Sequence, residues 1–283
     1  KSMPAKAYGI RTGDSVWEAR QKYGPLTIVP PDYSLYDRSS RALLKLLREY
    51  SPDVEQYSID EAYMDMSGTE KLFGPPIQAA DTIRQRIGEE LGFTVNIGIS
   101  ENKLLAKMAS DFKKPDRTHT LFVNEIPQKL WPLPVKELFF VGRASAKKLY
   151  DLGIYTIGDL AQTDVEILRR HMKKQGELIW NFANGRDFSL VEAVPPPNKG
   201  YGNSTTIPVD VTTSSQASLV LLALAETVGA RLRKDGKKAE VLSVSVKDYL
   251  FRTSSHQCRL PAPTNITEEL HRHACRLFLE LWD

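Results

Sequence analysis

The chain has 283 residues, with 38 Lys plus Arg against 35 Asp plus Glu for a net charge of +3, and it is 41% hydrophobic and 26% charged. A length of roughly two average domains excludes a single small module, and this composition excludes a disordered or fibrous chain. No apolar run approaches the roughly 18 residues of a membrane helix and no secretory signal opens the chain, so no membrane partner is expected. The only cysteines, Cys258 and Cys275, cannot frame a disulfide-held fold, which points to a reducing, cytoplasmic setting. The small positive excess permits a nucleic-acid partner without pointing to one.

In chain order, residues 15–19 read as a short helix. From Tyr33 onward Tyr36, Leu43, Leu44, Leu46, Leu47 and Tyr50 recur at helical spacing, and Ser51-Pro52 ends that helix. Tyr33, Tyr36 and Tyr50 are expected in the core. Strands are predicted at 54–59 and 62–66, then a helix over 75–91 with Ile77, Ala80, Ile83 and Ile87 as its apolar stripe. A strand at 93–99 and a helix at 104–112 follow, giving an open α+β layer with helices on one face. After Pro115 the strands are expected to stop, and 125–185 reads as short helices punctuated by Gly142, Gly153, Gly158, Gly176 and Gly185. Pro195-Pro196-Pro197 reads as a linker. Beyond it a second α+β unit is predicted: a strand at 205–211, a helix at 216–234, a turn at Asp235-Gly236, strands at 240–246 and around 256–260, and a helix at 267–282.

Asp60-Glu61 alone carries little, because chance supplies about four adjacent acidic pairs at this composition. Its flanks carry more. Neighbouring residues on a regular strand point to opposite faces, so two adjacent carboxylates share one site only where the pleat breaks, as at a hairpin corner. Carboxylates gathered there repel one another unless a hard divalent cation relieves them, and Mg²⁺ held by one or two carboxylates with water and phosphate oxygens is the usual arrangement for nucleotidyl transfer. A plain solvent-exposed turn is the competing reading.

Ser58-Ile59-Asp60-Glu61-Ala62-Tyr63-Met64-Asp65 resembles the S-I-D-E-A-Y/F-x-D signature of the Y-family DNA polymerases, the translesion (UmuC/DinB-type) enzymes. Residues 5–13 (AKAYGIRTG) resemble the family's fingers segment, and residues 95–110 resemble its palm segment, with Lys113-Lys114-Pro115 after it. The likeness covers essentially the whole chain, and the bacterial UmuC-like branch is the nearest in feel. It implies an α+β, multi-domain right-hand polymerase: partial fingers over 1–32, palm over 33–120, a helical thumb with a helix-hairpin-helix-like motif over 121–187, a linker at 188–199, and an α+β little finger over 200–283. It also implies template-directed DNA synthesis past lesions in DNA repair and the SOS response, with two Mg²⁺ ions. By carry-over, Asp60 and Glu61 would be the catalytic, metal-binding carboxylates, with Ser58 supporting the hairpin, and Lys6 and Lys114 would contact the triphosphate of the incoming deoxynucleotide. Partners implied are primer–template DNA, the deoxynucleoside triphosphate, and a sliding clamp bound through a tail beyond this chain. Family members open with a strand carrying a further metal-binding Asp and a steric-gate aromatic. Because this chain starts at Lys1, inside the fingers, and stops before the family's last strand, it is expected to be incomplete for catalysis by itself.

Two segments read as grips on DNA. Residues 138–154 resemble a helix-hairpin-helix, in which backbone N–H groups near Gly142 would meet a phosphate, with Arg143, Lys147 and Lys148 as a basic cluster. Phe140 stands where the usual turn has its first glycine. Residues 231–238 hold five cations within eight positions, some of which suit a helix C-terminus without any partner. Lys237, Lys238 and Lys247 are the candidate contacts of the little-finger sheet. His271 and His273 face different directions on a helix and make a poor metal pair, and Cys258 and Cys275 are expected to be buried structural thiols. Two rival functions are a non-catalytic DNA-binding relative using the palm as scaffold, and a nucleotide cyclase, whose palm-like layout also carries hairpin carboxylates.

Overall fold

Side-chain caps start the first helices of the chain, for which a computed structural model describes residues 1–282. Ser2 caps α1 (Met3–Ala7), and Ser15 and Glu18 form a reciprocal capping box on α2 (Val16–Lys22). Asp32 accepts from the Leu35 N–H at 2.9 Å to start α3 (Tyr33–Leu47). Only the C-terminal half of α3 reaches the core, where Leu46 and the following Tyr50 pack with Ile83 and Ile87. The first turn of α3 overhangs that core, so Tyr33 and Tyr36 are 72% and 43% exposed, against the expectation that they are core; Tyr50 is buried as expected.

β1 (Val54–Gln56) and β2 (Ala62–Met64) form an antiparallel hairpin in the register Val54↔Met64, Glu55↔Tyr63 and Gln56↔Ala62. After α4 (Glu70–Phe73), α5 (Pro76–Arg86) buries Ala79, Ala80 and Ile83. Ile77 lies outside that face and is exposed, so the predicted stripe starts one turn too early. The helix runs on into a π-helical turn over Ile87–Leu91, closed by Gly92 in the left-handed region at φ 74°. That wide turn leaves Ile87 buried and Leu91 packed on the same cluster as Ile83.

β3 (Ile97–Ile99) leads to α6 (Lys103–Ser110), capped by Asn102 on the Leu105 N–H. Gly98 is required here, because a Cβ on it would lie 1.9 Å from the Ala106 carbonyl oxygen and 2.5 Å from the Ser110 nitrogen. β4 (Thr118–Thr120) then pairs parallel with β3. The strands therefore do not stop at Pro115: this one is three residues long and polar, so nothing in its own pattern announces it, and its partner ladder supplies the stabilisation. The expected layer is two separate two-stranded sheets, one antiparallel and one parallel.

Five helices follow: α7 (Ile126–Lys129), α8 (Arg143–Asp151), α9 (Ile157–Gln162), α10 (Val165–Met172) and α11 (Lys174–Ala183). Leu121, Leu130, Val135, Leu149, Ile157, Leu160, Leu168 and Ile179 are fully buried among them, in one apolar cluster that includes Leu105 and Met108 of α6. The two indole N–H groups are satisfied inside it: Trp131 donates to the Ala183 carbonyl and Trp180 to the Thr163 carbonyl, each at 3.0 Å.

The chain divides into two compact units between Pro195 and Pro196. In the second, α12 (Ser214–Lys234) and α13 (Thr267–Leu279) pack on one face of an antiparallel hairpin, β5 (Ala239–Lys247) with β6 (Thr253–Thr264). Leu242, Val244 and Val246 point into that core. No strand forms over 205–211 among the described residues, contrary to expectation. Pro208 lacks an N–H to donate, and Val209 is 76% exposed, so the apparent alternation is not matched by burial. Cys258 and Cys275 are half-buried rather than buried. Cys275 lies 3.2 Å from His271 Nε2, with Ser218 Oγ 3.1 Å from the same nitrogen.

Candidate active site

The hairpin corner is a compact turn in which the N–H groups of Tyr57 and Ser58 both donate to the Glu61 carbonyl, at 2.9 and 3.1 Å. Ser58 Oγ donates to Asp60 Oδ1 at 2.8 Å and accepts from the Asp60 N–H at 3.3 Å, the hairpin-supporting part expected of it. Asp60 is exposed, while Glu61 turns toward α6, where Lys107 Nζ lies 2.6 Å from its Oε1. The pleat does break here, but the two carboxylates have different settings.

From Glu61 the charges alternate. Lys107 Nζ also lies 3.0 Å from Asp111 Oδ2, and Lys114 Nζ lies 2.7 Å from Asp111 Oδ1. Lys107 is only 13% exposed, whereas Lys114 is 53% exposed. Burial opposes the charge on Lys107, but the hydrogen bonds to Glu61 and Asp111 outweigh it and hold its pKa above the ordinary lysine value. Burial likewise opposes the Asp111 charge, and its bonds to Lys114 and Lys107 outweigh that, so its carboxyl sits below the ordinary range. Behind the corner, burial first and neighbouring acidic groups second push the Tyr63 phenol upward. The Lys103 ammonium lies 5.1 Å from the Tyr63 ring centroid.

The structure thus brings Glu61 and Lys114 into one network and places Asp60 beside it. Lys6 lies exposed in the last turn of α1, and no hydrogen bond or ion pair joins it to the hairpin among the described residues. Lys107 and Asp111 went unassigned in the sequence although both lie in or beside the palm-like segment. Their signal was a Lys–Asp pair four apart at a helix end.

The oxygen donors at this corner suit a hard cation that keeps most of its waters. No group of three or more His, Cys, Asp or Glu forms a closed metal cage among the described residues. An open position with one or two protein carboxylates fits an ion that is also held by a phosphate.

The helix-hairpin-helix expectation lands on α8. Gly142 is its N-cap, with Arg143, Lys147 and Lys148 exposed and outside any ion pair among the described residues. Phe140 adopts φ 71°, the left-handed conformation that a glycine would take there. Its carbonyl accepts from Gln175 Nε2 at 3.0 Å, and its ring packs edge-on against Phe139 and Phe182. The turn is therefore retained despite the substitution.

In the second unit, Arg231 and Arg233 are already engaged. They donate to the Gly202 carbonyl at 3.0 Å and the Asn265 carbonyl at 2.6 Å, which separates them from the other cations of that cluster. Lys237, Lys238 and Lys247 are exposed. Lys247 shares the outer sheet face with Ser243, Ser245, Ser255, Gln257 and Arg259, the last a cation that sequence reading missed and that the register places there.

Comparison with known proteins agrees with this geometry. The family model described as the impB/mucB/samB family matches residues 1–111, its C-terminal domain matches 198–283, and the family's helix-hairpin-helix motif matches 123–154. DNA polymerase IV of Clostridium acetobutylicum is 42% identical over 283 residues, covering 100% of this chain and 71% of that protein. The chain belongs to the Y family of DNA polymerases.

DNA polymerase IV 1 of Bacillus subtilis is 37% identical over 287 residues, covering 100% of this chain and 68% of the relative. The polymerase IV name places the chain with the DinB-type members of the family rather than nearest the UmuC-like branch. A solved Y-family polymerase chimera of Dbh and Dpo4 superposes with a TM-score of 0.85 at 24% identity, covering 98% of this chain and 79% of the chimera, and so shares the fold. DinB from Sulfolobus solfataricus gives 0.61 at 23% identity, covering 98% and 80%. The fold is the right-hand polymerase architecture with a helix-hairpin-helix thumb motif and a little-finger domain. Family membership removes the cyclase alternative. No helix among the described residues is long and apolar enough to cross a membrane.

Proposed function

We propose that this chain is the catalytic region of a translesion DNA polymerase, adding deoxynucleotides to a primer opposite template DNA. The observation that carries the reading is the corner at Asp60 and Glu61, joined through Lys107 and Asp111 to Lys114. Asp60 and Glu61 would hold divalent cations, two Mg²⁺ in the working enzyme. When bound, such ions activate the primer 3′-hydroxyl and neutralise charge on the phosphates.

The chain's own residues do the remaining work. Lys114 has the exposure to leave Asp111 for a triphosphate, and Lys6 supplies a second point charge on the fingers side, without the bidentate geometry an arginine would give. The Gly142–Arg143 helix start, with Lys147 and Lys148, would hold one DNA phosphate region without reading bases. Lys237, Lys238 and Lys247 would follow the backbone, aided by Arg259 and by small hydroxyl side chains that let phosphates approach the sheet. We assign fingers to 1–32, palm to 33–120, thumb to 121–187, linker to 188–199 and little finger to 200–283; the division between Pro195 and Pro196 falls inside that linker. A sliding clamp is the proposed protein partner, and none of the surfaces described above is assigned to it.

Primer extension by the full-length protein tests the reading. Asp60→Ala and Glu61→Ala should each lower the rate at least about 100-fold, because a metal ligand supplies several kcal/mol of transition-state stabilisation. Primer–template affinity should stay unchanged. Unchanged extension would remove the proposed metal roles and favour the scaffold reading.

A further inference from the structure

We propose that Lys107 and Asp111 form a charge relay that makes cation binding at the Asp60–Glu61 corner and triphosphate binding at Lys114 mutually reinforcing. The proposal rests on the roles given above to Asp60, Glu61 and Lys114, and adds how the two halves of the site communicate.

Four alternating charges lie in contact: Glu61 to Lys107 at 2.6 Å, Lys107 to Asp111 at 3.0 Å, and Asp111 to Lys114 at 2.7 Å. The two inner members are divided between two partners each. Lys107 shares its ammonium between two carboxylates, and Asp111 gives one oxygen to each lysine. Lys107 is 13% exposed, so it must keep a carboxylate partner wherever it goes. Lys114 is 53% exposed and can leave at little desolvation cost.

These facts fix the direction of the coupling. A triphosphate that draws Lys114 away leaves Asp111 with a single cation. Lys107 then shifts its weight to Asp111 and releases the Glu61 oxygens. In the other direction, a divalent cation at Glu61 displaces Lys107 toward Asp111, which loosens the hold of Asp111 on Lys114 and frees that ammonium for phosphate. Each ligand prepares the site for the other, as linkage requires. In the structure the Glu61 carboxylate is held by Lys107 and the Lys114 ammonium by Asp111, so each ligand competes with one of these ion pairs.

Mn²⁺ binding to the nucleotide-free, full-length protein, followed by electron paramagnetic resonance of the free ion, tests the relay without turnover. Lys114→Gln should tighten Mn²⁺ about 5-fold or more, the low end of usual coupling strengths, and Asp111→Asn should weaken it comparably. Removing a charge also acts through space, so the deciding measurement is a double-mutant cycle. In a Lys107→Met background, Lys114→Gln should change Mn²⁺ affinity less than about 2-fold. Equal tightening in both backgrounds would overturn the relay. If Lys107→Met does not fold, the Asp111→Asn background gives the same contrast, since the relay is cut there too. Asp60→Asn is the control for the underlying site: if it leaves Mn²⁺ binding intact, the metal assignment itself fails, whereas loss of binding with an additive cycle rejects the relay alone.

Discussion

Lys103 and Glu55 form a forked ion pair, the Lys103 Nζ lying 2.8 Å from Oε1 and 2.7 Å from Oε2 of Glu55. Their side chains are 15% and 16% exposed. The pair joins α6 to β1, and it also gathers the chain beyond the helical region, since Lys103 donates to the Leu190 carbonyl at 3.1 Å and Glu55 accepts from the Glu192 N–H at 2.8 Å. Glu55→Ala should therefore cost about 2–3 kcal/mol in urea unfolding, because it leaves a largely buried ammonium with only the Leu190 carbonyl as acceptor and the Glu192 N–H with none. The Lys103→Ala, Glu55→Ala double variant should recover part of that loss. A fully additive cycle would show that the pair contributes no coupling.

The exposed lysines and the engaged arginines of the second unit should separate experimentally. Lys247→Met should reduce the slope of log affinity for DNA against log salt by about 0.9, the loss of one phosphate contact, with thermal stability unchanged. Arg233→Met should lower stability with little change in slope, since its guanidinium is held by Asn265 and Thr267. Filter-binding titrations at several salt concentrations, alongside thermal melts, give both readouts.

Asp159 supplies an acid-dependent element of stability. Its carboxylate accepts from the Thr156 N–H at 2.8 Å and the Tyr155 N–H at 3.1 Å, and these backbone bonds hold its pKa below the ordinary value. A depressed folded-state pKa means that the contribution is complete above the unfolded value and is lost as pH falls through the folded one. Stability between about pH 5 and pH 2 should consequently fall less steeply in Asp159→Asn than in the wild type, as read by urea midpoints.

Gly98→Ala should destabilise the first unit by at least about 3 kcal/mol, because the new methyl meets backbone atoms of α6, which cannot turn aside as a flexible side chain would. Gly88→Ala meets no neighbour within 4 Å and serves as the control, expected to be neutral or slightly stabilising. Chemical denaturation of the two variants compares them directly.

Much of this architecture was legible because local signals and tertiary context agreed. The α3, α5, α6 and α12 helices follow their apolar spacing, and the Asp60–Glu61 corner was readable from its eight-residue motif. What escaped depended on partners distant in sequence. The strand at Thr118–Thr120 exists because β3 lies alongside it, and the exposure of Tyr33 depends on where α3 overhangs its neighbours. The 205–211 segment erred in the other direction, having the alternation of a strand without a ladder. At the site, Lys107 was visible as a residue but its role was not, since nothing in the sequence says that its ammonium lies between Glu61 and Asp111. Arg259 became a candidate only through the β5–β6 register.

The wide turn at Ile87–Leu91 makes chain length there a rotational setting. A π turn holds one residue more than an ordinary α turn, so removing one would let the segment wind as an ordinary helix with its exit direction roughly kept, whereas removing two would swing everything downstream by about 100°. The strand that carries Gly98 would then offer a different edge to the helix above it, and the ammonium groups that helix aims at the hairpin would swing away with it. A two-residue deletion in this stretch, remote from the carboxylates, should pull Lys103 and Lys107 off the Asp60–Glu61 hairpin, whereas a one-residue deletion should be far better tolerated.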